Sequence, residues 1–344
     1  MITVTLYFKN QSEAEIIRKD LLEIREQIPF DLVMMDITKE AVLENTYRDI
    51  APVVRAGPYQ LKGTFTKQEL WVMISSARDR DMHLQTLGDE GYRRRKKRGE
   101  TYNSGDRFTN WLTRNYMWII IGLLAVYVGL PFLAPVLMKN GKEWGANLIY
   151  KMYSVMCHQT AFRSWFLFGE QAAYPSELAH LDEYMTYEEI MGIRGARSDP
   201  ATDLNFFVLQ AREFIWNAQT GYKVALCERD IAMYGSLLLF GLIFVATGRR
   251  IPPLSWKVWI LIGILPIAID GVSQLPGFLT WIPMNLPYRE STPFLRTLTG
   301  FLFGITTGWY LFPISEETMM ETRRALVWKN ARSQQAAGEG GQSS

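Results

Sequence analysis

Cys157 and Cys227 are the only cysteines in 344 residues, and one of the three histidines, His158, follows Cys157 directly. Thiolate, imidazole and carboxylate together suit zinc, and a zinc ion with one open position activates water. Cys157, His158, Cys227 and Asp270 are therefore candidate catalytic residues and candidate metal ligands. The spacing matches no standard zinc pattern, and adjacent Cys157 and His158 on a helix would point in different directions. A second chemistry is a Cys157–Cys227 disulfide, with His158 placed to tune a thiolate. A third uses no sulfur. Arg163, Arg229 and Arg296 would bind an anionic group, such as a phosphate or lipid headgroup, with His158 or Asp270 as general acid/base. Gln159, Asp230 and Gln274 complete the candidate substrate-binding set.

These residues need elements to hold them, and the elements are membrane helices. Net charge is +2 and mean hydropathy is −0.05. Bulk charge gives no argument for nucleic acid, and the average hides two unlike halves. Residues 1 to about 110 are charged and mixed. Beyond them come four apolar stretches that predict spans: Asn115–Met138, Ile231–Gly248, Val258–Leu275 and Pro293–Ile314. Each is about long enough to cross a bilayer. Basic residues at span ends set orientation. The run Arg93–Arg98 precedes span one, Arg249, Arg250 and Lys257 separate spans two and three, and Arg323, Arg324 and Lys329 follow span four. All three signals agree on both termini inside a cell (cytoplasmic) membrane. The segment 139–229 is then outside, with two aromatic-rich amphipathic stretches read as interfacial helices and an acidic insertion over about 171–203.

On that topology the rare polar groups collect towards the outer leaflet. Asp270 shares a helix face with Gln274 at i+4. Arg296 opens span four, and Gly300, Gly304 and Gly308 follow at four-residue intervals. Such a stripe admits a second helix closely and turns Arg296 into the bundle. The bland expectation for the charges is an ion pair, Asp270 with Arg296 or Arg229.

Four ordered blocks carry a resemblance: "CHQTAFRSWFLFG", "CERDIAMYG", "PIAIDGVSQ" and "PFLRTLTGFLFG". They resemble a family of predicted membrane proteins of unknown function with Cys-His-Gln, Cys-x-Arg, Asp-Gly-x-x-Gln and Arg-x-x-Thr-Gly blocks, over about residues 145–314. An insertion between Gly169 and Cys227 departs from that pattern, as does Asp230, where some members carry a second cysteine. The family implies an architecture and no established reaction.

At the other end, "ITVTLYF" alternates as a strand, and Ser12 with Glu15 predicts a capping box opening a helix. "FDLVMMDI" and "APVVRAGPYQL" read as further strands, and Thr66 caps a closing helix. The order resembles the glutaredoxin-like branch of the thioredoxin fold over about residues 1–80. Pro52 stands at that fold's cis-proline position, but the family's cysteine pair is absent, so the resemblance implies a redox-inactive docking module. The expected fold is thus a small α/β thioredoxin-like domain (1–80), a basic linker (81–115), an all-α transmembrane bundle of about four spans (116–314), and a cytoplasmic tail (315–344) with a disordered end. The expected partners are membrane lipids, with a protein partner for the N-terminal domain. The expected function is binding of, or action on, an amphipathic or lipid-linked substrate. The alternative is a non-enzymatic scaffold with a structural disulfide.

Overall fold

The structure is a computed structural model that describes residues 2–87, 102–195, 204–274 and 289–340. The basic run Arg93–Arg98, the last residues of the expected insertion, the end of expected span three at Leu275 and the final four residues lie outside these. The chain forms two compact units, residues 1–115 with 317–344, and residues 116–316.

The first unit is a mixed four-stranded sheet of order β2-β1-β3-β4. Strands β1 (Ile2–Phe8) and β2 (Phe30–Asp36) run parallel, with α1 (Gln11–Gln27) as the crossover that parallel pairing requires. β3 (Val53–Ala56) lies antiparallel to β1, and β4 (Tyr59–Lys62) antiparallel to β3. Alternation along β1 decides which face each side chain serves. Ile2, Val4, Leu6 and Phe8 pack with Ile17, Leu21 and Ile24 of α1 and with Leu70, Met73 and Ile74 of α3 (Lys67–Thr86). Tyr7, Val33, Met35 and Val53 face the other way, onto Val42, Leu43 and Tyr47 of α2 (Ala41–Tyr47). The peptide bond before Pro52 is cis.

Several boundaries differ from expectation. Asn10, not Ser12, caps α1, because the Asn10 side chain accepts the Ser12 amide. Thr66 does cap α3, in a full capping box with Glu69. The stretch expected as a linker is helical at both described ends, to Thr86 and again from Ser104. The expected tail is not a tail. Its helix continues across residues 317–335 and lays Met320, Val327, Trp328 and Ala331 on the second face of the sheet. Trp328 Nε1 donates to Thr5 Oγ1 at 2.8 Å, and Arg332 pairs with Asp31 at 3.0 Å.

The second unit holds α4 (Ser104–Lys139, its larger part), α5 (Glu143–Tyr153), α6 (Tyr187–Ile190), α7 (Leu204–Glu213) and α8 (Glu228–Ala246). It also holds α9 (Trp256–Val258), a π-helical turn (Trp259–Ile264), α10 (Leu265–Val272) and the start of α11 (Pro293–Gly340). Among the described residues two helices, α4 and α8, are long and apolar enough to cross a membrane. The π turn stands directly before Pro266, whose missing N–H and ring bulk disrupt the normal ladder. The all-α expectation fails for residues 164–227. There β5 (Ser164–Leu167), β6 (Trp216–Asn217) and β7 (Gly221–Cys227) form an antiparallel sheet of order β5-β7-β6. The β-branched and aromatic content of "SWFL" and "GYKVALC" favours strands. The two stretches read as interfacial helices are α-helical only over α5 and α7, with one 3-10 turn at Ala161–Arg163.

The glycine stripe of α11 packs on α8. A Cβ on Gly304 would strike the backbone of Met233 and the Ser236 hydroxyl, and one on Gly300 the Arg229 carbonyl. One on Gly308 would first meet the Phe240 and Leu237 side chains, at 3.1 and 3.2 Å. Small residues here permit the close helix contact expected from the sequence.

Candidate functional site

Four consecutive residues at the start of α8 distribute the site. Successive residues on a helix turn by about 100°, so Cys227, Glu228, Arg229 and Asp230 cannot share a face, except the i,i+3 pair Cys227 and Asp230. That pair meets Cys157. The three ligand atoms, two Sγ and a carboxylate oxygen, all lie within 4.8 Å of one another. Cys157 stands in the turn after α5, not on a helix, its amide donating to the Tyr153 carbonyl at 2.9 Å. The neighbouring Cys227 thiol, helped by the Gln159 amide, holds the Cys157 pKa below the usual thiol range, while its Cys157 neighbour and burial push Cys227 well above it. Both cysteines are free thiols.

Gln159 anchors this turn. It is buried with positive φ, and its Nε2 donates to the carbonyls of Tyr150 (3.1 Å) and Ala225 (2.7 Å). Its own carbonyl accepts from Lys223 Nζ at 2.7 Å, which also donates to the Arg212 carbonyl at 2.7 Å. Burial pushes the Lys223 amine down to about 7. A neutral amine keeps two N–H groups, enough for both carbonyls. His158, beside Cys157 in sequence, is exposed.

Glu228 and Arg229 enter two ion-pair groups. In the first, Arg296 pairs with Glu290, and with Glu228 at 3.5 Å, all three being buried. Arg163 reaches the same Glu290 oxygen through Nη2 at 2.6 Å. In the second, Asp270 accepts from Arg229, from Arg289 at 2.8 Å and from Ser291 at 2.9 Å. Gln274 donates to the Asp270 carbonyl at 2.6 Å, the i+4 neighbour that spacing predicted. Arg229 is therefore the partner of Asp270, while Arg296 turns to the two glutamates. Of the four candidate metal ligands, the structure brings Cys157 and Cys227 together and joins Asp230 to them. His158 and Asp270 are not in that group. Sequence reasoning missed Glu228, Arg289, Glu290, Ser291 and Lys223. Signals existed for three of them: a charged Arg289-Glu290 pair just before an apolar span, and a lone lysine in an apolar strand.

Residues 211–310 match the family described as predicted membrane protein (DUF2085). This stretch holds Cys227 through Asp230, Asp270, Gln274 and Arg296, while the Cys-His-Gln block at residues 157–159 lies before it. An uncharacterized protein of Methanocaldococcus jannaschii is 24% identical over 212 residues, covering 59% of this chain and 94% of the relative. No solved structure matches. The family's description and the two apolar helices agree on a membrane protein of unknown function.

Proposed function

We propose that the chain is a four-span protein of the cytoplasmic membrane, with both termini inside, whose arginine cluster binds the anionic head of an amphipathic or lipid-linked substrate at the outer leaflet. The observation that carries this is a charge imbalance. Arg163, Arg229, Arg289 and Arg296 face three carboxylates, Glu228, Asp270 and Glu290. The acids are buried, whereas the Arg163 and Arg289 side chains are 38% and 42% exposed. The one surplus positive charge lies in the Asp270 group, where Arg289 is the outer guanidinium, and Arg163 is the outer guanidinium of the balanced group beside it; guanidinium is the group best shaped for phosphate. Spans three and four are the broken stretch Trp256–Val272 and the first turns of α11. The thioredoxin-like reading of the first unit rests on its strand order and its helices, and its role is partner recruitment.

The test is lipid retention. Wild type and the Arg163→Gln/Arg289→Gln variant are purified in detergent and given phosphatidylglycerol or phosphatidylcholine, and bound lipid is counted by native mass spectrometry. Glu290 and Asp270 keep Arg296 and Arg229 in this variant, so the fold stands. Wild type is expected to prefer phosphatidylglycerol by about tenfold, or about 1.4 kcal/mol, and the variant to lose that preference. Equal retention of both lipids by wild type, or an unchanged variant, overturns the reading in favour of a non-enzymatic scaffold, in which the charges only hold helices together.

A further inference from the structure

We propose that Cys157, Cys227 and Asp230 form a transition-metal site that takes zinc. This site shares no ligand with the arginine cluster. Three donors of suitable type converge: two sulfurs and one carboxylate oxygen, mutually within 4.8 Å. Ligands at 2.0–2.3 Å around a single tetrahedral ion stand about 3.3–3.8 Å apart, so the group closes on an ion with sub-ångström shifts. Two of the three come from one rigid element, Cys227 at the N-cap of α8 and Asp230 one turn on. The third is fixed from outside, by a turn that Gln159 clamps to β7 through the Ala225 carbonyl. Preorganisation of this kind is what a binding site needs and a mere core packing of two cysteines does not.

Three protein ligands leave one position of a tetrahedral ion open, the pattern of reactive rather than purely structural zinc sites. Cys157 is nearly buried, while Cys227 and Asp230 are partly exposed, so the open position has a route to a small ligand. Tyr127 and Tyr234, in edge-to-face contact at 4.6 Å, line the same region within electrostatic reach of Asp230. Two thiolates favour zinc or another thiophilic ion over magnesium or calcium. Binding displaces both thiol protons to solvent, so a dithiol and Zn²⁺ become a zinc dithiolate and two H⁺.

The experiment uses the full chain purified in detergent under reducing conditions with zinc present. Metal is counted by mass spectrometry, and zinc is then exchanged for cobalt to read thiolate-to-cobalt charge-transfer absorption. About one zinc per chain and a thiolate-coordinated tetrahedral cobalt spectrum are expected. Cys157→Ser loses both signals. Asp230→Asn lowers zinc affinity by at least the roughly 10–100-fold that loss of a supporting partner costs. His158→Ala keeps zinc, which separates this ligand set from one built on the histidine. Wild type also settles the matter without variants, because bound zinc slows thiol alkylation and a chelator restores the rate. Absence of metal with both thiols freely alkylated, a Cys157–Cys227 disulfide in the purified protein, or loss of zinc in His158→Ala overturns the proposal. Failure here leaves phosphatidylglycerol retention untouched, and failure there leaves the zinc count untouched.

Discussion

Replacing Glu290 by glutamine removes one negative charge from an enclosed group of three. Arg296 is 3% exposed there and cannot turn to water, and its remaining carboxylate, Glu228, lies 3.5 Å away. Breaking a buried pair while leaving the partner charge in place costs about 3–5 kcal/mol. Asp270→Asn is the matched control. It also removes one charge from a buried carboxylate, but its partners Arg229 and Arg289 are 23% and 42% exposed and can hydrate. Its cost is that of the lost charged hydrogen bonds, about 1.5–3 kcal/mol. The expected gap of about 2 kcal/mol is roughly thirtyfold in the unfolding equilibrium. The assay is reversible unfolding in mixed detergent–dodecyl sulfate micelles, followed by tryptophan fluorescence. Adding Arg296→Met to Glu290→Gln is expected to recover part of the loss, because an apolar side chain carries no stranded charge. Asp270→Asn as damaging as Glu290→Gln, or no recovery in the double variant, would refute the reasoning.

Two further outcomes follow from packing and burial. Gly304→Ala drives a methyl into the Met233 backbone, so it is expected to lose about 1–3 kcal/mol despite better helix propensity, whereas Gly308→Ala meets side-chain atoms at 3.1–3.2 Å that need give by only tenths of an ångström and is expected to stay within about 1 kcal/mol, both read from thermal melts in detergent. Lys223 binds fewer protons folded than unfolded between about 7 and its ordinary value near 10.4, so stability should climb through that window by up to about 1.4 kcal/mol per pH unit. Lys223→Met removes that slope while stranding the Gln159 and Arg212 carbonyls, and an unchanged slope counts against a neutral amine.

Helical and strand periodicity made the sheet domain legible, because β1 alternates cleanly and α1 and α3 repeat at 3.6. A close helix contact along α11 was legible too, since three glycines at four-residue spacing have few other uses, but that α8 is the partner was not. What sequence concealed is mostly long-range. "RRALVWKNAR" has a basic, mixed surface that looks solvated, yet Trp328 and Val327 find their apolar partners some 300 residues earlier in the chain. At the candidate site the cysteines were visible by rarity. Asp230 was visible as a binding candidate but not as their companion ligand, because it also reads as a helix-start acid, favourable to the dipole at that end. Asp270 attracted notice for sitting in an apolar run, and the structure gives it two arginines and a serine instead of sulfur. The small sheet around β7 was hidden by aromatic residues that suit an interfacial helix as well as a strand.

The first unit is assembled from two distant stretches of the chain, its sheet from residues 2–62 and a covering helix from beyond residue 316, as the Trp328–Thr5 hydrogen bond across 323 positions shows. This dictates an order of events during synthesis. At roughly 5–20 residues per second, strands β1–β4 are finished about 12–50 s before the helix that covers their second face emerges. Over that interval Tyr7, Val33, Met35 and Val53 are covered by α2 and its flanking residues Ile37, Ile50 and Ala51, without the later helix. The apolar helices between must be threaded into the bilayer before the domain can close. A ribosome stalled before residue 320 therefore leaves the second face of the sheet open.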